Sequence, residues 1–368
     1  MDTGESQSTV EEKRSPMLDD CEHIKALDKS HMFDTLARFP EQIRDAIRMT
    51  NAMERCNYLK IDNVIFCGMG ASAISGDIIA RYVRDKLDVP IYVNRDYDLP
   101  KWANKDTLVI FISYSGNTEE TISAFKIASQ KKCKTLCISS GGKLQEFAEK
   151  RQLPYLKVAE GIQPRAAVPY LLFSSLLFMR NIGLLKTNID GDVEETINVI
   201  QELVKVTAPS VPEENNQAKQ LARKLFGSIP QTYGWGPYAP IAQRWRHQFN
   251  ENSKIIARSD IVPENNHNDI VGWSANPEIS KQFSCILFRD KEEETVPLTV
   301  RLNFMKNLFE STAAQVIEVT PRGKSILARM IYFMYLGDAT SCYLAMLRDV
   351  DPSAIDIITE LKNRLAEK

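Results

Sequence analysis

An alternation of apolar strands, small-residue turns and helices between residues 62 and 139 constrains the fold more than any other feature of this chain. The segments NVIFCGMG, VPIYVNRD, TLVIFISYSG and KTLCISS predict strands, and ASAISGDIIARYVRDKL predicts a helix. A further helical segment ends near Lys131. Strands that are joined through helices run parallel, because a parallel connection has to cross over the sheet. The pattern therefore predicts an α/β fold with a doubly wound, mainly parallel sheet.

A second pattern of strands and helices follows residue 226 and predicts a second sheet. SIPQTYGWG, KIIAR, FSCILFRD and AAQVIEVT are predicted strands, and YAPIAQRWRHQFNENSK is a predicted helix. Two helices end the chain, and Asp351 with Pro352 marks the start of the last one. Both halves place a strand, a glycine turn and a helix in the same order without detectable sequence identity. We therefore expect a duplicated fold.

The length of 368 residues favours two hydrophobic cores, since domains usually hold roughly 100 to 200 residues. The predicted divisions are a polar, disordered tail over 1–28, a first domain over 29–186, a helical connector over 187–225 and a second domain over 226–368. Within the first domain, HMFDTLARFPEQIRDAIRM has the apolar spacing of a helix that Pro40 should interrupt. The connector should break near Pro212.

Charge balance and cysteine usage narrow the choice of partners. Lysine and arginine total 46 against 48 acidic residues, so the net charge of -2 gives no general attraction to nucleic acid or an anionic membrane. No window reaches the ~18 consecutive apolar residues of a membrane span. Seven cysteines without CxxC spacing or a secretory signal predict reduced thiols in a cytosolic protein. Four scattered histidines lack metal-ligand spacing, so no metal site is predicted.

The turn GMGASAISGD, residues 68–77, follows a strand and opens a helix. This context is typical of a dinucleotide fingerprint, but Ala73 stands where the third glycine is expected, so NAD binding gains little support. The turn does place Ser72 and Ser75 beside backbone N–H groups at a helix N-terminus, which suits an anion. An ordinary tight turn explains the same residues, and the turn alone does not decide between the two.

The loop SYSGNTEET, residues 113–121, has the same arrangement after the most apolar strand. Three of its hydroxyl groups can donate to a phosphate: those of Ser113, Ser115 and Thr118. Gly116 would permit close backbone approach, and Asn117 with Glu120 matches a helix N-cap pattern. Simple capping and phosphate binding both fit this loop alone. Two such turns on neighbouring strands favour a ligand site, because open α/β sheets bind ligands at the carboxyl ends of their strands.

Several separated motifs resemble the bifunctional phosphoglucose/phosphomannose isomerases, a family of the sugar isomerase (SIS) domain superfamily. The motifs are GMGASAISGD, SYSGNTEET, PRAAVPY, FNENSK, ENNHND, GDATSCYLAML and VDPSAIDIITELK. The resemblance runs from about Phe33 to the C-terminus and implies two SIS-type subdomains side by side in a homodimer. It also implies a cytoplasmic isomerase of glycolysis and gluconeogenesis that converts glucose 6-phosphate, and mannose 6-phosphate, into fructose 6-phosphate. The implied route is a cis-enediol, with no metal or organic cofactor.

The resemblance also implies roles for individual residues. The phosphate ligands that it implies are Ser72, Ser113, Ser115 and Thr118. Glu251 becomes the base that moves a proton between C2 and C1, and His267 opens the sugar ring from across the dimer interface. Arg165 stabilises the intermediate, and Lys362 reaches the sugar. Such a reaction needs one proton-transferring carboxylate, a ring-opening group and positive charge near the enediolate.

The chain departs from the family's pattern at three positions. Ala71 and Ala73 replace usual glycines, which bears on backbone donation near Ser72, and Ser353 stands where many relatives have threonine. The hydroxyl of Ser353 could tune the ratio of mannose to glucose activity.

Each implied catalytic residue also has a structural explanation. Glu251 and Lys362 could be solvated charges, and His267 could lie in a surface turn. Arg165 precedes an apolar helix, where a cation at the N-terminus is electrostatically unfavourable, which is a mild hint of function.

Other functions fit the sequence less well. A non-catalytic SIS sensor of sugar phosphates would keep the hydroxyl loop, yet the joint presence of Glu251, His267 and Arg165 favours an enzyme. The SIS pair that makes glucosamine 6-phosphate needs a glutaminase domain, whereas this sequence begins with methionine and a short polar tail. The tryptophans at 235, 245 and 273 favour core or a sugar-pocket wall over nucleic-acid stacking. KEEETV at 291–296 is predicted to be a solvated loop.

Overall fold

The computed structural model describes residues 18–54, 56, 58 and 60–367, and the strands in this part of the chain form two sheets. The strands of the first sheet are β1 Asn63–Cys67, β2 Ile91–Asn94, β3 Thr107–Ile112, β4 Lys134–Ser139 and β5 Tyr155–Lys157. The strands of the second sheet are β6 Ile229–Trp235, β7 Arg258–Val262, β8 Phe283–Phe288 and β9 Gln315–Val319. Neighbouring strands pair in parallel in both sheets. The predicted α/β class is confirmed.

The strand order is β2-β1-β3-β4-β5 in the first sheet and β7-β6-β8-β9 in the second. The second sheet therefore repeats the order of the first four strands of the first sheet. In both sheets the chain begins on an inner strand, moves to one edge, and then crosses back to build the other side. The predicted duplication is confirmed in the topology of the two sheets.

Helices connect and flank these strands over the described residues. They are α1 Cys21–Leu27, α2 Met32–Ala37, α3 Phe39–Ala52, α4 Gly70–Tyr82, α5 Glu119–Gln130, α6 Gly142–Lys150, α7 Val168–Asn181, α8 Asp190–Val206, α9 Gln217–Leu225, α10 Ala239–Glu251, α11 Asp269–Trp273, α12 Pro277–Ser280, α13 Val296–Thr312, α14 Ile326–Leu347 and α15 Asp356–Ala366. None of those helices combines the length and the apolar composition that crossing a bilayer requires. The predicted interruption at Pro40 is confirmed, since this residue lies in the first turn of α3.

The chain divides into two compact units. One unit contains Arg38–Gln201 and Gly323–Arg329, and it holds the first sheet. The other holds the second sheet and contains the described residues up to Ala37, Glu202–Arg322 and the described residues from Met330 onward. The division falls inside α8, and the predicted break near Pro212 lies between α8 and α9.

The predicted tail over residues 1–28 is wrong in its last part. Residues 1–17 lie outside the described residues, but Asp20 caps α1 by accepting from the N–H groups of Glu22 and His23, each at 3.0 Å. The side chains of Leu18 and Ile24 are buried. Two buried apolar side chains and a capped helix therefore order a segment whose overall composition is polar.

Two element boundaries in the second half also differ from prediction. The strand predicted for KIIAR begins instead at Arg258, because the residues after α10 remain attached to the helix end: Ile255 N donates to Phe249 O at 3.3 Å. The last helix begins at Asp356, four residues after Pro352. A tight turn at Asp351, whose carboxylate accepts from Ser353 N at 2.7 Å, occupies the intervening chain.

Apolar side chains on both faces of the first sheet explain why its strands are continuous apolar runs. On one face, Val109 and Phe111 of β3 belong to a buried cluster with Phe125 of α5, and the two phenylalanine rings lie 5.2 Å apart. On the other face, Gly76 lets α4 approach β1 closely, since a Cβ there would lie 2.7 Å from Phe66 Cβ. All six residues of β3 are buried. This strand is a rigid support for the loop that follows it.

A buried ion pair joins α10 to α14 in the second unit. Arg244 Nε and Nη2 donate to the two carboxylate oxygens of Asp338 at 2.9 and 2.6 Å, and both side chains are 2% exposed. Burial raises the pKa of the Asp338 carboxyl, and the facing guanidinium opposes that shift. The pair therefore fixes the register of α10 against α14, since either charge alone would be costly to bury.

We expect Asp338→Asn to lower the free energy of unfolding by about 3 kcal/mol, because Arg244 would remain as a buried charge facing a neutral amide. Urea titration followed by circular dichroism measures this change. The control is Asp356→Asn, which alters an exposed carboxylate on α15. A loss below about 1 kcal/mol, the scale of surface ion pairs, would contradict the structural role of the pair.

Candidate active site

The loop after β3 gathers its hydroxyl groups at the carboxyl end of the first sheet. The side chain of Ser113 is buried, and its Oγ lies 2.8 Å from Thr118 Oγ1. Gly116 N donates to Ser113 O at 2.9 Å, which closes the loop, while Ser115 is exposed. Two of the predicted phosphate ligands are thus in direct contact, with Ser115 on the open side of the same turn.

The turn after β1 brings Ser72 to the neighbouring strand end. Cys67 of β1 pairs with Phe111 of β3, so the two loops leave the sheet side by side. A Cβ at Gly68 would lie 2.8 Å from both Ile112 O and Ser72 Cβ, so only glycine permits this close packing. Ser72 is buried in the first turn of α4. The hydroxyl of Ser75 does not point to the loop, because it donates to Ala71 O within the helix at 3.0 Å.

The predicted N-cap at Asn117 with Glu120 is wrong. Helix α5 begins at Glu119 with Thr118 at the cap position, and no side-chain hydrogen bond caps it within the described chain. The side chain of Asn117 accepts instead from Lys143 N at 3.1 Å and donates to Ser115 O at 3.1 Å. A tertiary contact with Lys143 therefore replaces the local cap that the sequence predicted.

A third turn, SSGGK at 139–143 after β4, supports the hydroxyl loop, and sequence reasoning missed it. Ser140 N donates to Tyr114 O at 2.8 Å, and Leu144 N donates to Gly116 O at 3.0 Å. Gly116 has φ +68°, and a Cβ there would overlap the carbonyl of Gly141. The available signal was the same arrangement of serines and glycines directly after an apolar strand.

We expect Gly116→Ala to weaken binding of inorganic phosphate at least tenfold and to destabilise the fold by about 1–3 kcal/mol, since the alanine would be strained and would displace the third turn. Calorimetric titration and urea unfolding measure the two effects. Gly161→Ala is the matched control, because Gly161 has φ +79° but open space around its Cβ position. Equal phosphate affinity in the two variants would contradict the role of the Gly116 contact.

Arg165 lies in the same unit as the hydroxyl loop. It belongs to the short 3₁₀-helix Pro164–Ala166, directly before the apolar helix α7. Only 3% of the residue is exposed, and Nη1 lies 3.5 Å from Gln163 Oε1. Burial of an arginine at this degree is unusual, which strengthens the hint that its position at a helix N-terminus already gave.

Glu251 is the last residue of α10, and polar contacts with α14 hold this helix end. Asn252 Nδ2 donates to Ser341 Oγ at 2.9 Å, and Ser253 Oγ donates to Ser341 O at 2.7 Å. Asn252 and Ser253 are buried, while Glu251 is half-buried. The backbone that carries Glu251 is therefore fixed, and its side chain retains access to the surface.

His267 ends the 3₁₀-helix Glu264–His267, which follows β7, and its side chain is exposed. Its neighbours anchor the loop: Asn265 is buried, and Asn266 Oδ1 accepts from Arg301 Nη1 at 3.2 Å. The imidazole is therefore exposed on a loop whose neighbouring residues are anchored. Lys362 is likewise exposed, on α15.

Glu251 and His267 lie at opposite ends of the strands of the second sheet. Helix α10 returns from the end of β6 to the start of β7, so Glu251 lies at the edge where the strands begin. His267 follows the end of β7, at the other edge. The five residues of β7, which span about 16 Å at roughly 3.3 Å per residue, lie between Glu251 and His267 along the chain.

The loop after β8 is the counterpart of the hydroxyl loop in the second sheet, and it is closed by its own ion pair. Arg289 donates through Nε and Nη2 to the Glu294 carboxylate, each at 2.9 Å, and the Glu294 side chain is 2% exposed. Burial favours a higher pKa for Glu294, but the hydrogen bond from Arg289 holds its pKa below the ordinary value. The solvated loop predicted for 291–296 is therefore wrong at this position. An acidic, internally bonded loop does not suit phosphate.

The three tryptophans at 235, 245 and 273 are buried, and their indole N–H groups have protein acceptors. The sequence predicted either core or a sugar-pocket wall for these residues, and their burial confirms the first of the two. Among the residues that the structure describes, no three histidine, cysteine or acidic side chains gather as metal ligands would.

Two family models match the chain. Residues 58–151 match the SIS domain, and residues 214–365 match the bacterial phospho-glucose isomerase C-terminal SIS domain. The bifunctional phosphoglucose/phosphomannose isomerase of Caldicellulosiruptor bescii is 40% identical over 338 residues, which cover 91% of this chain and 99% of that protein. The protein of the same name from Aquifex aeolicus is 36% identical, over 82% of this chain and 90% of that protein.

Solved structures show the same fold at low sequence identity. A hypothetical protein of Thermus thermophilus superimposes with a TM-score of 0.74 at 13% identity, covering 98% of this chain and 96% of that chain. A glucose-6-phosphate isomerase like protein from the same organism gives a TM-score of 0.62 at 16% identity, over 94% of this chain and 98% of that chain. The likeness extends over both units.

Proposed function

We propose that this chain, which belongs to the bifunctional phosphoglucose/phosphomannose isomerase family, interconverts glucose 6-phosphate and mannose 6-phosphate with fructose 6-phosphate. The observation that carries the proposal is the contact between Ser113 and Thr118 at the end of a buried strand, beside Ser72 on the neighbouring strand end. The resemblance to the family implies that these groups bind the phosphate of the sugar. We place the enzyme in the cytoplasm, in glycolysis and gluconeogenesis, with SIS-type domains over 29–186 and 226–368.

The phosphate is proposed to bind at the N-termini of α4 and α5. Its side-chain donors would be the hydroxyl groups of Ser72, Ser113, Ser115 and Thr118. Neutral donors and free helix N–H groups suit a dianion without needing a lysine or arginine. Ala71 retains the backbone N–H group that glycine would offer at this position. Ala73 N donates instead to Met69 O at 3.4 Å, within the first turn of α4.

The reaction is proposed to proceed by two linked proton transfers, one between the carbons C2 and C1 and one between their oxygens. Glu251 takes the proton from C2 of the open-chain aldose while the C1 carbonyl oxygen gains a proton, which gives the enediol. Glu251 then returns the carbon proton to C1 while the C2 hydroxyl loses its proton and becomes the carbonyl. Arg165 places a buried positive charge near the developing enediolate, where such stabilisation is strongest. His267 opens the sugar ring, and Lys362 contacts the sugar. The carboxylate is regenerated in each cycle, so the scheme is balanced without an external oxidant or reductant.

The protein is proposed to act as a homodimer in which His267 serves the site of the partner subunit. The positions of Glu251 and His267 at opposite ends of β7 support this arrangement, because they favour a site that takes the two groups from different chains. The exposed position of His267 on an anchored loop supports it as well. In a symmetric dimer, a site shared between the two copies can combine Glu251 of one chain with His267 of the other.

A coupled assay tests the proposed activity. Fructose 6-phosphate formation is measured from glucose 6-phosphate and, separately, from mannose 6-phosphate, and we expect turnover with both. The alternative, a non-catalytic sensor, predicts binding of these sugars in calorimetry without any turnover. Activity with one aldose only would restrict the proposal to that substrate.

A further inference from the structure

Lys254 has an unusual position three residues after Glu251. Its backbone adopts a left-handed conformation with φ +52°, which a lysine rarely adopts and glycine or asparagine would adopt with less strain. The half-buried side chain turns back to the end of its own helix. A residue kept in such a conformation suggests that its side chain makes contacts that a smaller residue would lose.

The ammonium of Lys254 lies among four backbone carbonyl groups. The oxygens and their distances from Nζ are Glu251 O at 2.7 Å, Asn252 O at 3.3 Å, Asp351 O at 2.7 Å and Pro352 O at 3.2 Å. Two of these carbonyls belong to the C-terminal end of α10, and two belong to the turn that precedes α15. One cation therefore joins the helix that carries Glu251 to the segment that leads to Lys362.

The position and the positive charge of the Lys254 ammonium both suit the contact between the end of α10 and the turn before α15. The last carbonyl groups of a helix carry partial negative charge and lack partners within the helix, so an ammonium stabilises them. Arg348 adds a neighbouring contact, since its Nε donates to Ser253 O at 2.8 Å. The backbone at Glu251 is thus held from two sides, by α14 and by the turn at Asp351. Without Lys254, the end of α10 would lose the contacts that the ammonium makes with Asp351 O and Pro352 O.

We propose that Lys254 is a positioning residue for the isomerase reaction: it holds Glu251 and the segment before Lys362 in one fixed arrangement. The inference rests on the proposed function, because Lys254 acts through Glu251 and is not assigned a contact with the sugar. The expected signature is a loss of turnover with little change in substrate affinity, since the phosphate loop lies in the other unit. A displacement of about 1 Å at a catalytic group costs on the order of a hundredfold in rate.

The test replaces Lys254 with methionine, which keeps the length of the stem and removes the donors. We expect Lys254→Met to lower kcat by about 10- to 100-fold while KM for glucose 6-phosphate changes less than about threefold. Lys254→Arg, which keeps the charge, should recover part of this loss. In the Glu251→Gln background, Lys254→Met should cause no further loss in kcat, because its effect passes through the carboxylate.

Lys131→Met is the matched control. Lys131 caps the end of α5, and its Nζ donates to three backbone carbonyls, those of Pro100, Lys101 and Ala103, at 3.4, 3.0 and 3.1 Å. Lys131 thus joins a helix end to a loop through backbone carbonyls, as Lys254 does, but its helix carries no predicted catalytic base. An equal fall of kcat in both variants, or a rise in KM alone for Lys254→Met, would overturn the proposal. Wild-type protein without turnover would overturn the proposed function itself, so the two failures are distinguishable.

Discussion

Glu251→Gln should lower kcat for glucose 6-phosphate by about a thousandfold, within the roughly 10²–10⁴ range that general base catalysis contributes, and leave KM nearly unchanged. Glutamine keeps the shape of the side chain but does not accept the C2 proton. The hydroxyl loop lies in the other unit and should still hold the phosphate. A coupled assay of fructose 6-phosphate gives kcat and KM, and loss of the C2 deuterium label from glucose 6-phosphate follows the proton step directly.

The control for this prediction is Glu310→Gln, an exposed carboxylate on α13. It should leave kcat, KM and label loss at their wild-type values. Retention of more than about a tenth of the wild-type kcat by Glu251→Gln would remove Glu251 as the base, since so small a loss lies below the range for this type of catalysis. A large rise in KM with full kcat would assign Glu251 to substrate binding instead.

The parts of the fold that sequence predicted well are those fixed by local chemistry. The strand β3 could be predicted from Leu108–Ile112 because burial on both faces requires a continuous apolar run. The hydroxyl loop could be located because the end of such a strand, a glycine and a helix start are adjacent in sequence. The topology then explains why the strands pair in parallel and why the turns after β1 and β3 lie together at the carboxyl ends of the strands.

The parts that sequence missed depend on contacts between distant residues. Helix α13 was not predicted, and three apolar side chains on it are mostly exposed, so its apolar pattern does not mark a buried face: Val296, Val300 and Phe304. The bond from Lys143 N to Asn117 and the packing of Gly141 on Gly116 join two loops more than twenty residues apart. Glu251 was predicted as the base only through the family resemblance, because nothing local distinguishes it from any other carboxylate at a helix end.

Mixing two inactive variants should restore activity if His267 serves the partner's site. Glu251→Gln and His267→Ala chains each lack one group in every site of their own homodimers. Random exchange makes about half of the dimers mixed, and one of the two sites in a mixed dimer then has both groups, so about a quarter of the wild-type activity should return. Joint refolding of equal amounts, followed by the coupled assay, measures this recovery.

The control mixture contains Glu251→Gln chains and chains that carry both substitutions. No dimer in that mixture has an intact Glu251, so exchange should restore nothing. If the first mixture also stays inactive while the subunits demonstrably exchange, both groups would have to act from one chain. That outcome would contradict the proposed donation of His267 to the partner's site. The complementation experiment therefore tests two proposals at once, the homodimer and the donation of His267 to the partner's site. Activity returns only if both are correct.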